Sequence, residues 1–173
     1  PSPGRHEGVV ILDYKGLYPS IILGNNLCYT TRREPDENYG LVGQEVKPLP
    51  TREMVNGTHW DQSEQRLLPS VIEYLFEERQ KLKDDGNKIL EKAVKRVMAS
   101  LYGLTAETKG HGMADNAIAD TILSEGRRAI GIMRDHAFEM GYEVLYGHTD
   151  SCFVKCPLEK VDEVASVLTD IIQ

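Results

Sequence analysis

Two amphipathic segments joined by a short polar turn constrain this chain more than any other feature. Val71, Ile72, Leu75, Phe76 and Leu82 recur on one helical stripe, and Pro69 suits a first helical position. Asp84-Asp85-Gly86-Asn87 supplies turn residues. Ile89, Leu90, Ala93, Val94, Val97, Met98 and Leu101 then resume an apolar stripe. Helices connected in this way form an αα-hairpin. On either side the chain reads as strand. Val9 to Asp13 is a continuous apolar run closed by a carboxylate, as in a buried strand. Residues 143–146 and 151–155 are two short strands about Gly147-His148-Thr149-Asp150, a β-hairpin.

The expected fold class is therefore α+β: a small antiparallel sheet packed on helices, with a projecting two-helix hairpin. The segment IILGNN suits a short helix ending near Gly24 and Asn25. Residues from about Thr30 to Ser63 are rich in Pro, Gly, Asn and charge, and read as loops and short strands. A third helix is expected from about Ala114 to Met140, stopped by Gly141. Val161, Val164, Leu168 and Ile171 mark a last one. The lead PSPGRHEG reads as a linker from an upstream domain, and 173 residues suffice for one substantial core.

Composition removes several classes. No apolar run approaches the ~18 residues needed to span a bilayer, and no signal-peptide layout opens the chain, so no membrane partner is expected. The net charge of −7 argues against a generic nucleic-acid-binding module, which needs a basic excess. It is compatible with a core that concentrates carboxylates for metal. Cys28, Cys152 and Cys156 suit a reducing cytosol better than a disulfide framework. Cys152 and Cys156 lack a second pair to complete a metal site, so they read as small buried side chains on a strand.

Two patterns carry chemistry. Asp13 and Asp150 each stand at a strand end or in a tight hairpin, where packing does not explain a carboxylate. Such a pair can hold two Mg²⁺ ions roughly 3.5–4 Å apart, but each also fits a turn or capping role, and spacing leaves both open. Arg79 and Lys83, four apart, share a helical face. Lys88, Lys92, Lys95, Ala99 and Tyr102 form a stripe opposite the apolar one on the next helix. A cationic face can grip a triphosphate or simply be solvated.

The residues around these groups resemble the motifs of family B DNA polymerases. Asp13-Tyr14-Lys15-Gly16-Leu17-Tyr18-Pro19-Ser20 resembles the first, D-x-x-S-L-Y-P-S. Lys95-Arg96-Val97-Met98-Ala99-Ser100-Leu101-Tyr102-Gly103 resembles the second, K-x-x-x-N-S-x-Y-G, and Tyr146-Gly147-His148-Thr149-Asp150-Ser151 the third, Y-G-D-T-D-S. Between them, residues 78–83 look like the fingers helix that carries phosphate-binding cations. The motif style is closer to archaeal and eukaryotic replicases than to protein-primed viral enzymes.

This resemblance implies template-directed DNA synthesis by two-metal-ion nucleotidyl transfer, on primer-template DNA with deoxynucleoside triphosphates. Asp13 and Asp150 would be the catalytic metal carboxylates for two Mg²⁺ ions, with Mn²⁺ a possible substitute and the Tyr14 carbonyl a further ligand. Tyr14, Leu17, Tyr18, Arg79, Lys83, Lys95 and Tyr102 would meet the nucleotide. Tyr18 would lie beneath the sugar, leaving no room for a 2′-hydroxyl; Arg79, Lys83 and Lys95 would hold phosphates. Lys88 and Lys92 stay with the solvated reading. Lys109 is a candidate phosphate contact to template or primer, and Gly126-Arg127-Arg128 a structural landmark. Residues 1–66 would begin the palm, 67–104 form a short fingers hairpin, and 105–173 complete a truncated palm. The rest of the polymerase chain, its exonuclease and thumb domains, would be a partner, with a sliding clamp a further candidate. An intracellular location, cytoplasmic or nucleoid-associated, goes with that function.

Three positions depart from the pattern. His148 replaces the first aspartate of the third motif, Ala99 the asparagine of the second, and Gly16 the serine of the first. Imidazole is a poor Mg²⁺ ligand, and Gly16 is expected to leave the backbone barer and looser. These departures frame an alternative: a catalytically reduced relative with a structural or DNA-binding role in replication or repair.

Overall fold

The computed structural model describes residues 2–34, 39–42, 45–48, 50–107 and 112–171. In chain order the elements are β1 (Val9–Asp13), α1 (Leu17–Gly24), β2 (Arg32–Arg33), β3 (Tyr39–Val42), β4 (Glu45–Pro48), β5 (Thr51–Glu53) and β6 (His59–Asp61). Then follow α2 (Leu67–Asp84), α3 (Lys88–Ala106), α4 (Asn116–Glu139), β7 (Glu143–His148), β8 (Ser151–Lys155) and α5 (Val161–Ile171). The fold is α+β, as the sequence implied. It divides into two compact units, residues 1–17 with 126–173, and residues 18–125.

The first unit is built on an antiparallel sheet of order β1-β8-β7. Because side chains alternate along a strand, its register sorts residues by face. Val10 opposite Val154 and Leu12 opposite Cys152 point inward. They pack with Met133 and Ala137 of α4 and with Val164 and Leu168 of α5. Ile11 opposite Phe153 and Asp13 opposite Ser151 occupy the other face. A bulge between Val144 and Tyr146 inserts Leu145, which is buried. All three cysteines are free and buried; burial was expected of Cys152 and Cys156, but only Cys152 lies on a strand, Cys156 following the end of β8.

The lead segment is more than a linker. Ser2 N–H donates to Leu145 O at 2.9 Å, and Cys156 N–H to Gly8 O at 2.8 Å. Gly8 has φ 68, and a Cβ there would lie 2.3 Å from the Cys156 carbonyl oxygen. Only glycine lets the segment approach β8 this closely.

The second unit holds a sheet of order β2-β6-β5, the β3–β4 pair and the α2–α3 hairpin. Trp60, Ile22, Ile72, Ile118 and Ile122 are wholly buried. A polar hub on Asp61 ties loops to this sheet. Its carboxylate accepts from Ser63 N–H at 2.8 Å, Ser63 O–H at 2.6 Å and Arg33 Nη2 at 2.8 Å. Its backbone N–H donates to Thr31 O, and its carbonyl accepts from Asn26 Nδ2.

Helix starts needed correction. α1 begins at Leu17, before the expected IILGNN, because Pro19 sits within its first turn, where a missing N–H costs nothing. α2 likewise begins at Leu67, two residues before Pro69. Asp115 starts α4, its Oδ1 accepting from the amides of Ala117 and Ile118 at 2.9 and 3.2 Å. Gly141, at φ 81, follows its end. In the hairpin, Gly86 has φ 70 and Asn87 caps α3 by accepting from Leu90 N–H at 3.2 Å.

The apolar stripe of α3 is only partly used. Ile89 is 83% exposed and Leu90 51%, while Met98 is buried. The inward line runs through Glu91, Val94, Met98, Leu101 and Thr105. A two-helix hairpin buries one narrow strip of each helix, too narrow for the wide stripe that the sequence offers.

Candidate active site

Backbone pairing brings the two aspartates together. Asp13 ends β1 opposite Ser151, and Thr149-Asp150 form the two-residue connection between His148 and Ser151. Tyr14 N–H donates to the Asp150 carbonyl at 2.8 Å. Residues 137 positions apart in the chain (150 − 13) are thus neighbours through the β1–β8 ladder. The turn is narrower than the expected four residues, since Gly147 and His148 belong to β7. Thr149 carries φ 36, rare for a β-branched residue and held there by the hairpin.

The register makes a cross-strand row of Asp13, Ser151 and His148 on the exposed face. The residue replacing the motif's first aspartate therefore shares Asp13's face, one strand beyond Ser151. Its ring lies 6.0 Å from that of Tyr146.

Tyr14 is anchored twice. Besides its amide bond to Asp150, its hydroxyl donates to Ala129 O on α4 at 2.8 Å. Burial pushes its phenol pKa up, Cys152 adds to this, and the Arg128 charge opposes it. The phenol therefore stays a neutral donor. Gly16 has φ 69, so glycine here is demanded by the turn before α1, where serine would be strained. The expectation of a merely looser backbone is replaced by that conformational reason.

Two carboxylates and one carbonyl are hard oxygen donors of the kind that Mg²⁺ takes, alongside water and substrate phosphates. Among the described residues no group of three or more His, Cys, Asp or Glu could hold a metal. Two carboxylates and one carbonyl fill only part of an octahedral shell, whose other positions water and phosphate oxygens can take.

The residues assigned to the nucleotide fall in several places. Leu17, the first residue of α1, has a buried side chain, leaving its backbone as the part a ligand could meet. Tyr18 of α1 and Tyr102 of α3 are brought together, ring centroids 4.7 Å apart and tilted by 51°. The first and second motifs thus meet through an aromatic pair in the second unit. Lys83 and Lys95 are exposed and form no ion pair among the described residues. Lys109 lies outside those residues.

Arg79 is differently placed. Its Nε donates to Glu91 Oε1 at 2.6 Å, and both side chains are only 19% exposed. Glu91 was not singled out in the sequence. The available signal was its position: it interrupts the Lys88, Lys92, Lys95 face as the sole acid of the first turn of α3.

Comparison with known proteins gives the family and the fold. The chain belongs to DNA polymerase family B, whose family model matches residues 1–173. It is 32% identical over 153 residues to DNA polymerase II of Escherichia coli strain K12, covering 88% of this chain and 18% of that protein. It is 30% identical over 176 residues to DNA polymerase 1 of Pyrococcus abyssi, covering 95% and 21%. The fold matches the family B DNA polymerase of Pyrobaculum calidifontis with a TM-score of 0.75 at 24% identity, over 98% of this chain and 23% of that one. The chain therefore spans about a fifth of the length of these two relatives.

Proposed function

We propose that the protein carrying this chain performs template-directed DNA synthesis, extending a primer 3′-hydroxyl with deoxynucleoside triphosphates. The observation that carries the reading is the β1–β8 register that sets Asp13 beside Asp150, with Tyr14 N–H bonded to the Asp150 carbonyl. Asp13, Asp150 and the Tyr14 carbonyl would hold Mg²⁺, or Mn²⁺ in its place. Bound ions would supply charge stabilisation to the attacking and leaving oxygens of an in-line displacement. The primer hydroxyl attacks the α-phosphorus and pyrophosphate leaves. Tyr18, backed by Tyr102, blocks a 2′-hydroxyl, while Lys83, Lys95 and Arg79 draw off phosphate charge. Residues 1–66 and 105–173 would serve as palm and 67–104 as fingers. Exonuclease and thumb domains, and a sliding clamp, are the proposed partners in an intracellular setting.

The test is Asp13→Ala or Asp150→Ala in the full-length protein. Primer extension should fall about a thousandfold or more, the several kcal/mol that metal-held charge supplies, while circular dichroism stays unchanged. Undiminished extension by both variants would sink the assignment. One observation favours a second reading, a catalytically reduced relative: His148 stands on Asp13's own face. Titration with Mg²⁺ separates the two. The enzyme needs the ion for turnover, whereas a scaffold would bind DNA without it and incorporate nothing.

A further inference from the structure

Two consecutive residues of α4 reach both of the segments that carry the proposed metal ligands. The Tyr14 hydroxyl donates to Ala129 O at 2.8 Å. Gly147 stands over the next residue, Ile130, so that a methyl placed on this glycine would lie 3.4 Å from Ile130 Cγ2. Tyr14 directly follows Asp13 at the end of β1, and Gly147 lies on β7 where it enters the turn that holds Asp150. Gly147 is paired with Cys152, which faces the core, and Tyr14 packs against that same core. One turn of α4 thus supports the strand end and the hairpin from beneath the sheet. The Gly126-Arg127-Arg128 landmark immediately precedes it.

Packing does not account for the phenol. Phenylalanine would fill the same space, and a hydroxyl taken out of water stabilises nothing unless it is bonded. What the hydroxyl adds is direction. A carbonyl has two lone pairs, so Ala129 O can accept the phenol without leaving the helix ladder. Arg128 opposes the rise that burial gives the phenol pKa, and a positive charge near the oxygen makes the O–H a stronger donor. Tyr14 is then held at its amide, by the 2.8 Å bond to Asp150 O, and at the far end of its side chain. A residue fixed at both ends has little freedom to turn its peptide, and metal ligands must keep their places within about 0.5 Å.

We propose that the Ala129–Ile130 turn of α4 is a positioning brace for the metal site, acting through the Tyr14 hydroxyl on one side and Gly147 on the other. It fixes Asp13 and the Tyr14 carbonyl relative to the hairpin of Asp150. The idea deepens the polymerase reading and rests on it for the metal.

Titration of the full-length protein with Mn²⁺, followed by electron paramagnetic resonance without DNA or nucleotide, tests the brace apart from turnover. The component of binding that Asp13→Ala removes defines the site. Tyr14→Phe keeps the ring and deletes only the donor; it should weaken that component roughly tenfold, as loss of a group that orients a ligand does. Ile130→Ala should weaken it roughly threefold by withdrawing the support under Gly147. Val164→Ala, in the same core, should lower the denaturation midpoint yet leave Mn²⁺ affinity unchanged. The brace is overturned if Tyr14→Phe binds Mn²⁺ at this site as tightly as the parent, for the phenol would then serve packing alone. It is overturned equally if Val164→Ala weakens Mn²⁺ as much as Tyr14→Phe does, since general loosening would explain both. Should Asp13→Ala remove no Mn²⁺ binding, the metal assignment itself fails and the brace falls with it, an outcome distinct from the other two.

Discussion

The end of the β1-β8-β7 sheet and the α2–α3 hairpin carry charges of opposite sign and hold them in opposite ways. In the sheet, Asp13 and Asp150 owe their proximity to a strand register and one backbone bond of 2.8 Å. In the hairpin, cations extend on long side chains from helical faces, and Arg79 is held in place by another side chain, Glu91. Ladder hydrogen bonds locate a Cα closely, whereas a lysine head can sweep several ångströms around its own. The first kind of placement suits the metal ligation proposed for Asp13 and Asp150, and the second the phosphate contacts proposed for the hairpin cations.

The largest effect expected on this contrast comes from Gly8→Ala. The new methyl would meet the Cys156 carbonyl at 2.3 Å in a backbone with φ 68, at a close approach beside β8. Destabilisation of about 3 kcal/mol is expected from the combined clash and strain. Chemical denaturation should show it, and a loss under about 1 kcal/mol would mean the lead segment matters little to the sheet.

Asp61 tests whether a side chain can fix a structure as firmly as a ladder when it is buried. Burial raises its pKa, but the Ser63 hydroxyl and amide and the Arg33 guanidinium more than offset this, leaving the carboxyl below the ordinary aspartate value. A lowered folded pKa means the stabilisation is complete above the unfolded value and is lost as pH falls through the folded one. Stability should therefore decline below about pH 4. Asp61→Asn should cost about 2 kcal/mol at neutral pH by weakening bonds to a charged acceptor, and should flatten that acid limb. A mutant whose acid denaturation retraces the parent's would contradict the hub's role.

Lys95 should give the smallest change. Lys95→Ala is expected to raise KM for the nucleotide roughly tenfold, one charge-assisted contact's worth, with Lys95→Arg restoring much of it. Steady-state kinetics on the full-length protein decides. Equal loss of kcat from both replacements would mean that Lys95, too, demands fixed geometry, and the contrast with the sheet would fail.

How far the sequence could be read follows the same division. The span of β1, the reversal at residues 84–87 and the final helix were legible, because apolar periodicity and turn chemistry act over a few residues. The starts of α1 and α2 were not, since proline is tolerated anywhere in a first turn and so fails to mark its opening. The outward exposure of Ile89 and Leu90 was illegible for a different reason. A stripe shows which residues could be buried, and only the width of the neighbouring helix shows which are.

The candidate site divides along this line too. Motif residues from Asp13 to Ser20, Lys95 to Gly103 and Tyr146 to Ser151 identified the family from one-dimensional order alone. The tertiary structure alone decided that His148 shares Asp13's face, that Tyr18 rests on Tyr102, and that Arg79 is engaged by Glu91. Each of these depends on register or packing between elements distant in the chain. Local residue preferences determine what an element is; the cross-strand and interhelical contacts determine what it faces.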